Sequence, residues 1–366
     1  MITRLKISAK KACLMLQFML IRIKARFSKS DPGRDCVLID LSGLSINRRA
    51  VQVTLQLVNA GYTVYYRMPS RLYAQTMYDG FYDYQQFFFE RARCYRPGVN
   101  YLAVFCSENN PRHYPKTIVF FDDIPGFCDR YSEEFFFPIL FHPLKMARDS
   151  ERTVPDRASE RKIKIIFIGN NSGVYSDNEQ DVHQTYGLKT RNEIIAFLCS
   201  RFDGQIFRPD SIEAFKAALN DDKDTLKDKI VIIDRFRLGG DDYWDALRKS
   251  ACFIWTCGVF QPYCHNQMES IYTGTIPIAE RRIVYPGLGD ENAFLYSGFE
   301  ELEAIVEKLL HTDIDSAELS QKEEQVRKLF REHFSTEAFR QKTDRFIRSD
   351  KQKETYYICS HINAQQ

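Results

Sequence analysis

The chain has 366 residues, of which 44% are hydrophobic and 27% charged, a balance that is normal for a globular protein with room for two separate cores. Its formal net charge of +2 excludes a general nucleic-acid binder, which would be much more basic. The ten cysteines show no CxxC pair and no metal-ligand spacing. This pattern favours reduced, buried thiols and a cytoplasmic location over a disulfide framework.

Residues 1–30 carry many basic side chains and no acidic one, and they enclose the apolar run ACLMLQFMLI at 12–21. The run is too short to span a bilayer as a helix, and no small-residue cleavage site follows it. A basic amphipathic helix lying on an anionic membrane surface, at the inner face of the membrane, fits both features. The alternative is a helix that packs on the protein's own body, with its basic residues in water.

A strand–helix–strand pattern follows over 36–43, 47–60 and 62–68, so the first half begins like a Rossmann-type domain. The turn LSGLSINRR lacks GxGxxG, which excludes a dinucleotide fingerprint. A later strand, TIVFFDD at 117–123, ends in Asp122 and Asp123. The apolar run FFFPILFHP at 135–143 carries His142 near its end.

The polar, charged stretch 146–162 predicts a linker between domains. The apolar strand at 164–170 then opens a second α/β domain, and a helix is predicted over 190–202. Ser211 is predicted to cap the helix over 211–219, and a strong strand at 229–236 leads to two arginines. Further helices are predicted up to Ser349, with no structure beyond it.

The stretch 241–280 has the pattern of a helix, a buried strand, a loop, a second helix from His265 and a strand. Gly274 suits a C-terminal cap of that second helix because it tolerates positive φ. Ligands of open α/β sheets collect at the carboxyl ends of strands, where the following helix offers unpaired N–H groups to an anion. Glu269 lies one turn into the helix, and its carboxylate can accept both hydroxyls of a ribose. The alternative is a solvated helix residue in an ordinary βαβ unit.

The segment HNQMESIYTGTIPI resembles the nucleotide-sugar signature of GT-B glycosyltransferases, in particular exostosin-like and bacterial capsule or lipopolysaccharide transferases. The resemblance implies an α/β fold of two Rossmann-like domains facing across a cleft, with C-terminal helices. It also implies no cofactor and no essential metal, so that a Mg²⁺ site on the pair Asp122 and Asp123 is disfavoured. Several retaining members of the superfamily carry a second Glu, which would fall on Gln261, so the stereochemical outcome stays open.

The resemblance also implies roles for individual residues. The general base would be Asp122, Asp123 or His142, for which a turn, a helix cap or a structural histidine is the alternative. Arg235, preferred over Arg237, would stabilise the leaving diphosphate, unless these arginines pair at the surface with Asp241 or Asp242. The donor-binding residues would be Gly169, Asn170, Asn171, Arg191 (or Lys189 beside it), Arg235, Arg237, His265, Asn266, Glu269 and Ser270.

The predicted activity is sugar transfer from a nucleotide sugar to a saccharide or lipid-linked hydroxyl acceptor during surface polysaccharide or glycolipid assembly. The alternative is a non-catalytic, membrane-associated scaffold on a degenerate transferase fold. The predicted layout is a basic helix at 1–30, an acceptor domain at 31–145, a linker at 146–162, a nucleotide-sugar domain at 163–335, and a crossing helix with a tail at 336–366.

Overall fold

The structure is a computed structural model. It describes residues 2–27, 35–42, 48–78, 88–107, 112–121, 161–170, 186–221, 225–258, 263–283, 285 and 287–357. Within these ranges the chain forms two parallel β-sheets of six strands each. Helices flank both sheets, which confirms the predicted fold class of two Rossmann-like domains with C-terminal helices. The cleft that the same prediction places between the domains stays a prediction.

The first sheet has the strand order β3-β2-β1-β4-β5-β12, and every neighbouring pair is parallel. The strands are β1 (Cys36–Asp40), β2 (Thr63–Arg67), β3 (Arg93–Cys94), β4 (Ala103–Ser107), β5 (Thr117–Phe121) and β12 (Lys353–Tyr357). The helices of this part are α1 (Ile2–Phe27), α2 (Arg48–Asn59) and α3 (Ser70–Tyr78). Strand β1 is buried along its whole length, as expected of a continuous apolar run covered on both faces.

The expectation of no structure beyond Ser349 is wrong. Strand β12 pairs in register with β5, from Lys353 opposite Thr117 to Tyr357 opposite Phe121. The sequence KETYY, three polar residues followed by two tyrosines, gives no apolar run, so only the partner strand reveals it. The C-terminal part of the chain therefore completes the first sheet.

The second sheet has the order β7-β8-β6-β9-β10-β11. Its strands are β6 (Ile163–Ile168), β7 (Ile206–Phe207), β8 (Ile230–Ile233), β9 (Ser250–Ile254), β10 (Ile276–Glu280) and β11 (Phe294–Tyr296). The helices are α4 (Arg191–Arg201), α5 (Ile212–Leu219), α6 (Gly240–Arg248), α7 (His265–Tyr272), α8 (Phe299–His311), α9 (Ala317–Leu329) and α10 (Thr336–Arg348). A π-helical turn, Phe330–Phe334, joins α9 to α10.

Two predicted helix caps are confirmed. The side chain of Ser211 accepts a hydrogen bond from the Ala214 N–H at 3.1 Å and begins α5. Gly274 has a φ of +75° just after α7, and a side chain there would come within 2.8 Å of Arg327. Glycine is favoured at this position on both grounds, conformation and space.

The cysteines that the structure describes all carry free thiols, and several of them lie in the sheets. Burial raises the pKa of the Cys106 thiol to about 11 and that of Cys252 to about 12. Both thiols are therefore protonated at neutral pH and act as small apolar side chains.

A buried ion cluster lies at the amino ends of strands of the second sheet. Glu323 on α9 lies 2.9 Å from Arg161 and 3.0 Å from Arg327, and all three residues are buried. Arg161 also donates to the carbonyl of Arg248 at 2.6 Å, and Arg327 to that of Thr273 at 3.3 Å. One carboxylate thus neutralises two guanidinium groups that cap the carboxyl ends of α6 and α7.

We expect Glu323→Ala to lower the free energy of unfolding by about 3–5 kcal/mol, because it leaves two buried guanidinium groups without their anion. The measurement is urea denaturation followed by tryptophan fluorescence. The chain has two tryptophans, and both, Trp244 and Trp255, are buried in the second domain. The control is Glu324→Ala, since Glu324 is 63% exposed and pairs with the exposed Arg331 of the π-helical turn. An equal loss in the two variants would contradict the role of the buried cluster.

Candidate active site

The strand order of the second sheet reverses direction at β6. From β6 the chain first builds β7 and β8 on one side, and it then returns to β9 on the other side. The carboxyl ends of β6 and β9 are therefore the topological switch point, where open α/β sheets bind their ligands. Gly169 and Asn170 follow β6 here, and 255–258 follow β9.

Arg191 joins these two strand ends from the first position of α4. The side chain is buried, with the residue only 2% exposed, and its Nε donates to Thr256 Oγ1 at 3.0 Å. Its Nη2 donates to the carbonyl of Cys257 at 3.2 Å, and its Nη1 donates to the carbonyl of Asn170. A Cβ on Gly169 would lie 3.4 Å from this guanidinium and 2.9 Å from the Phe167 ring, so the close approach requires glycine.

Helix α7 begins against the same two strand ends. Asn266 Nδ2 donates to the carbonyl of Ile168 at 3.1 Å, and Gln267 Nε2 donates to the carbonyl of Thr256 at 3.0 Å. Gln267 Oε1 in turn accepts from the Cys264 N–H at 3.0 Å and from the Tyr285 hydroxyl at 2.6 Å. These bonds fix the amino end of α7, which is the positive end of the helix dipole, at the switch point.

One buried oxygen at this end has no hydrogen-bond partner among the described residues: Asn266 Oδ1. Asn266 is only 4% exposed, and its Nδ2 is held by Ile168. An unpaired buried acceptor costs about 1–3 kcal/mol. A ligand hydroxyl or amide that donates to this oxygen would recover that free energy.

Glu269 is fully buried one turn further into α7. Its Oε2 accepts from the Tyr243 hydroxyl at 2.5 Å and lies 3.1 Å from His265 Nδ1. Burial and the neighbouring carboxylate raise the pKa of Tyr243 well above its usual value, so the phenol stays a donor. The carboxylate is therefore oriented by one buried partner, Tyr243, and one half-buried partner, His265, whose side chain is 32% exposed.

The remaining described donor-site candidates lie in two different settings. Ser270 is buried under the helix, where its Oγ accepts from Trp255 Nε1 at 2.9 Å. Arg235 and Arg237 are exposed in the loop after β8, the neighbour of β6. Arg235 pairs with Asp210, so the alternative pairing with Asp241 or Asp242 is wrong for this residue.

Several predicted residues lie outside the described residues: Asp122, Asp123, His142 and Asn171. Their roles stay predictions. Within the described part of the chain, no group of three or more His, Cys, Asp or Glu side chains is placed to hold a metal ion.

Sequence reasoning missed Glu280, at the carboxyl end of β10. It is 2% exposed, accepts from the Lys189 N–H at 2.9 Å, and lies 3.7 Å from Lys189 Nζ. This carboxylate holds the segment that leads into Arg191. The signal was present in IPIAE, where a charged residue ends an apolar strand at the ligand-binding edge of the sheet.

Asp40 was missed for the same reason, at the end of the run CVLID. It is fully buried at the switch point of the first sheet, between β1 and β4. Its carboxylate accepts from the Tyr114 hydroxyl and from the Ser42 N–H at 2.9 Å, and it lies 3.8 Å from Arg112 and 4.0 Å from Arg67. The first sheet thus has its own charged cluster at its ligand-binding edge.

No protein-family model matches the sequence, and no curated protein matches it. Among solved structures, a glycosyltransferase from Rickettsia africae ESF-5 is similar at 9% identity and a TM-score of 0.45, covering 87% of this chain and 99% of that one. HepE of Anabaena in complex with UDP and glucose is similar at 9% identity and a TM-score of 0.41, covering 86% and 100%. TarM is similar at 10% identity and a TM-score of 0.36; 68% of this chain is covered, but only 55% of TarM.

We expect Arg191→Lys to lower the free energy of unfolding by about 1–3 kcal/mol. The reason is that an ammonium group cannot reach three acceptors on two strand ends at once. Urea denaturation read by tryptophan fluorescence measures the change, since Trp255 adjoins the site. Arg201→Lys makes the same substitution at the exposed end of the same helix, and we expect no measurable loss there. Equal stability of the two variants would show that Arg191 does not hold the switch point together.

Proposed function

We propose that the chain is a glycosyltransferase that moves a sugar from a nucleotide-sugar donor to a hydroxyl acceptor. The observation that carries the proposal is the amino end of α7, fixed at the switch point of the second sheet with a buried, unpartnered acceptor on Asn266 and the carboxylate of Glu269 one turn away. A helix start suits the diphosphate, and an oriented carboxylate suits the ribose hydroxyls.

The diphosphate would lie against the first turn of α7 and the backbone after β6. Helix N–H groups and the positive end of the helix dipole stabilise negative charge there. Arg235 is the proposed cation for the leaving nucleoside diphosphate. Its partner Asp210 is 80% exposed, and such a surface pair is weak enough for a phosphate to displace.

The ribose would reach Glu269 by replacing His265, which is more exposed than Tyr243. Tyr243 would keep its hydrogen bond and hold the carboxylate in place during this exchange. Preorganisation of this kind lowers the ordering cost of binding. Asn266 Oδ1 would gain a donor from the ligand in the same step.

The acceptor side belongs to the first sheet in this proposal. Asp122, Asp123 and His142 remain the proposed candidates for the general base. Asp40 with Arg67 and Arg112 adds a charged cluster at the edge of that sheet, suited to bind polar groups of a saccharide or lipid-linked acceptor. The motif around Glu269 favours an exostosin-like or capsule-type transferase. The process would be assembly of a surface polysaccharide or glycolipid.

The proposal predicts release of nucleoside diphosphate from one member of a panel of nucleotide sugars. Glu269→Gln is expected to raise the Kd for that nucleotide by roughly ten- to a hundredfold, because it weakens charged hydrogen bonds to the ribose. The Kd is measured by calorimetry and the release by coupled assay. Glu300→Gln makes the same change at an exposed position of α8 and is expected to leave both unchanged.

If no nucleotide sugar is cleaved and no nucleotide raises the melting temperature, the chain is not a transferase, and the non-catalytic scaffold takes its place. If a nucleotide binds equally well to wild type and Glu269→Gln, the ribose lies elsewhere.

Metal independence is part of the same proposal. Because Arg235 and the amino end of α7 would take the charge of the leaving group, the rate of sugar transfer should not change when EDTA removes divalent cations. The measurement is the initial rate with EDTA and after addition of Mg²⁺ or Mn²⁺. A rate that falls in EDTA and returns with one of these ions would contradict it.

A further inference from the structure

Helix α1 has an apolar face that nothing in the described chain covers. All large hydrophobic residues that are exposed among the described residues lie on this one helix. They are Leu16 at 61%, Met19 at 53%, Leu20 at 67%, Ile23 at 51% and Phe27 at 84% exposure. A contiguous patch of this kind indicates an interaction surface.

The opposite face of α1 is firmly packed. Phe18 is 1% exposed and stacks on Tyr73 at a centroid distance of 4.5 Å and on Tyr66 at 6.4 Å. With 3.6 residues per turn, the spacing of Leu16, Leu20 and the residues that follow places them on the side away from Phe18. The helix therefore presents its second apolar face outward while the first one anchors it.

Basic side chains border the outward face. Lys24 and Arg26 are exposed, and the helix contains no acidic residue. On the helical wheel Lys24 and Arg26 fall on opposite sides of the apolar stripe. None of the described helices is both long enough and apolar enough to cross a bilayer.

We propose that α1 docks this face onto an anionic lipid bilayer, lying parallel to its surface. An apolar stripe of one helix width suits insertion at the boundary of headgroups and acyl chains. The cations on both sides of it would meet the phosphates of anionic lipids, which is the charge complementarity that selects this occupant over an uncharged protein groove. The sequence left open whether α1 packs on the protein or on a membrane, and the two faces allow both contacts at once.

The test is flotation of the full chain with vesicles of phosphatidylcholine alone or with 30% phosphatidylglycerol. We expect binding to the anionic vesicles that weakens with salt. The variant Leu16→Gln/Leu20→Gln/Ile23→Gln should lower the partition coefficient at least roughly tenfold. Glutamine keeps a high helix propensity, and unchanged tryptophan fluorescence and melting temperature will show that the variant is folded.

The charge contribution has a matched control. Lys24→Gln/Arg26→Gln should lower the partition coefficient by roughly fivefold for each charge removed. Arg201→Gln/Lys308→Gln removes the same net charge at exposed positions of α4 and α8, and we expect it to bind vesicles like wild type.

Three results would overturn the proposal. One is absence of vesicle binding, and another is equal binding to neutral and anionic vesicles. The third is a wild-type dimer in light scattering that the Leu16/Leu20/Ile23 variant converts to monomer without lipid, which would show that a second copy covers the face. None of these depends on transferase activity, so the docking surface and the proposed function stand or fall separately.

Discussion

The guanidinium of Arg191 holds together the two loops that leave the central strands of the second sheet. In a doubly wound sheet the two central strands lead into loops that diverge to opposite sides, which opens a crevice for a ligand but leaves backbone carbonyls without partners. Arg191 takes up carbonyls from both loops and the Thr256 hydroxyl with one rigid fork. The amide side chains of Asn266 and Gln267 do the same from α7. The loops after β6 and β9 and the start of α7 are thus hydrogen-bonded to one another at the switch point.

This construction explains why the sequence predicted the place of the site better than the role of each residue. Continuous apolar runs identified β6, β8, β9 and β10, and their carboxyl ends pointed to one edge of the sheet. The sequence could not predict which side-chain donors bond to other groups of the protein, because those bonds join residues far apart in sequence. Arg191 reaches Thr256, 65 positions away, and Arg235 pairs with Asp210 rather than with the nearer Asp241 or Asp242.

The burial of Glu269 has a physical consequence for any ligand. A carboxylate without solvent must be paired, and Tyr243 and His265 already provide that pairing. A ligand therefore gains only the difference between its own hydrogen bonds and those that it replaces. Exchange of the partly exposed His265 costs less than exchange of the buried phenol, so the carboxylate favours ligands that approach from the side of the helix start.

The site in the second domain is linked to the first sheet by a continuous series of contacts. Gln267 accepts from Tyr285, whose ring meets that of Phe334 edge-on at 6.1 Å in the turn before α10. Near the other end of α10, Asp344 accepts from Tyr62, and Lys116 donates to the carbonyl of Phe346 at 3.1 Å. Strand β12 then joins β5 directly. Each step is a packed ring or a hydrogen bond, so α10 and β12 connect the second domain to the first sheet through direct contacts.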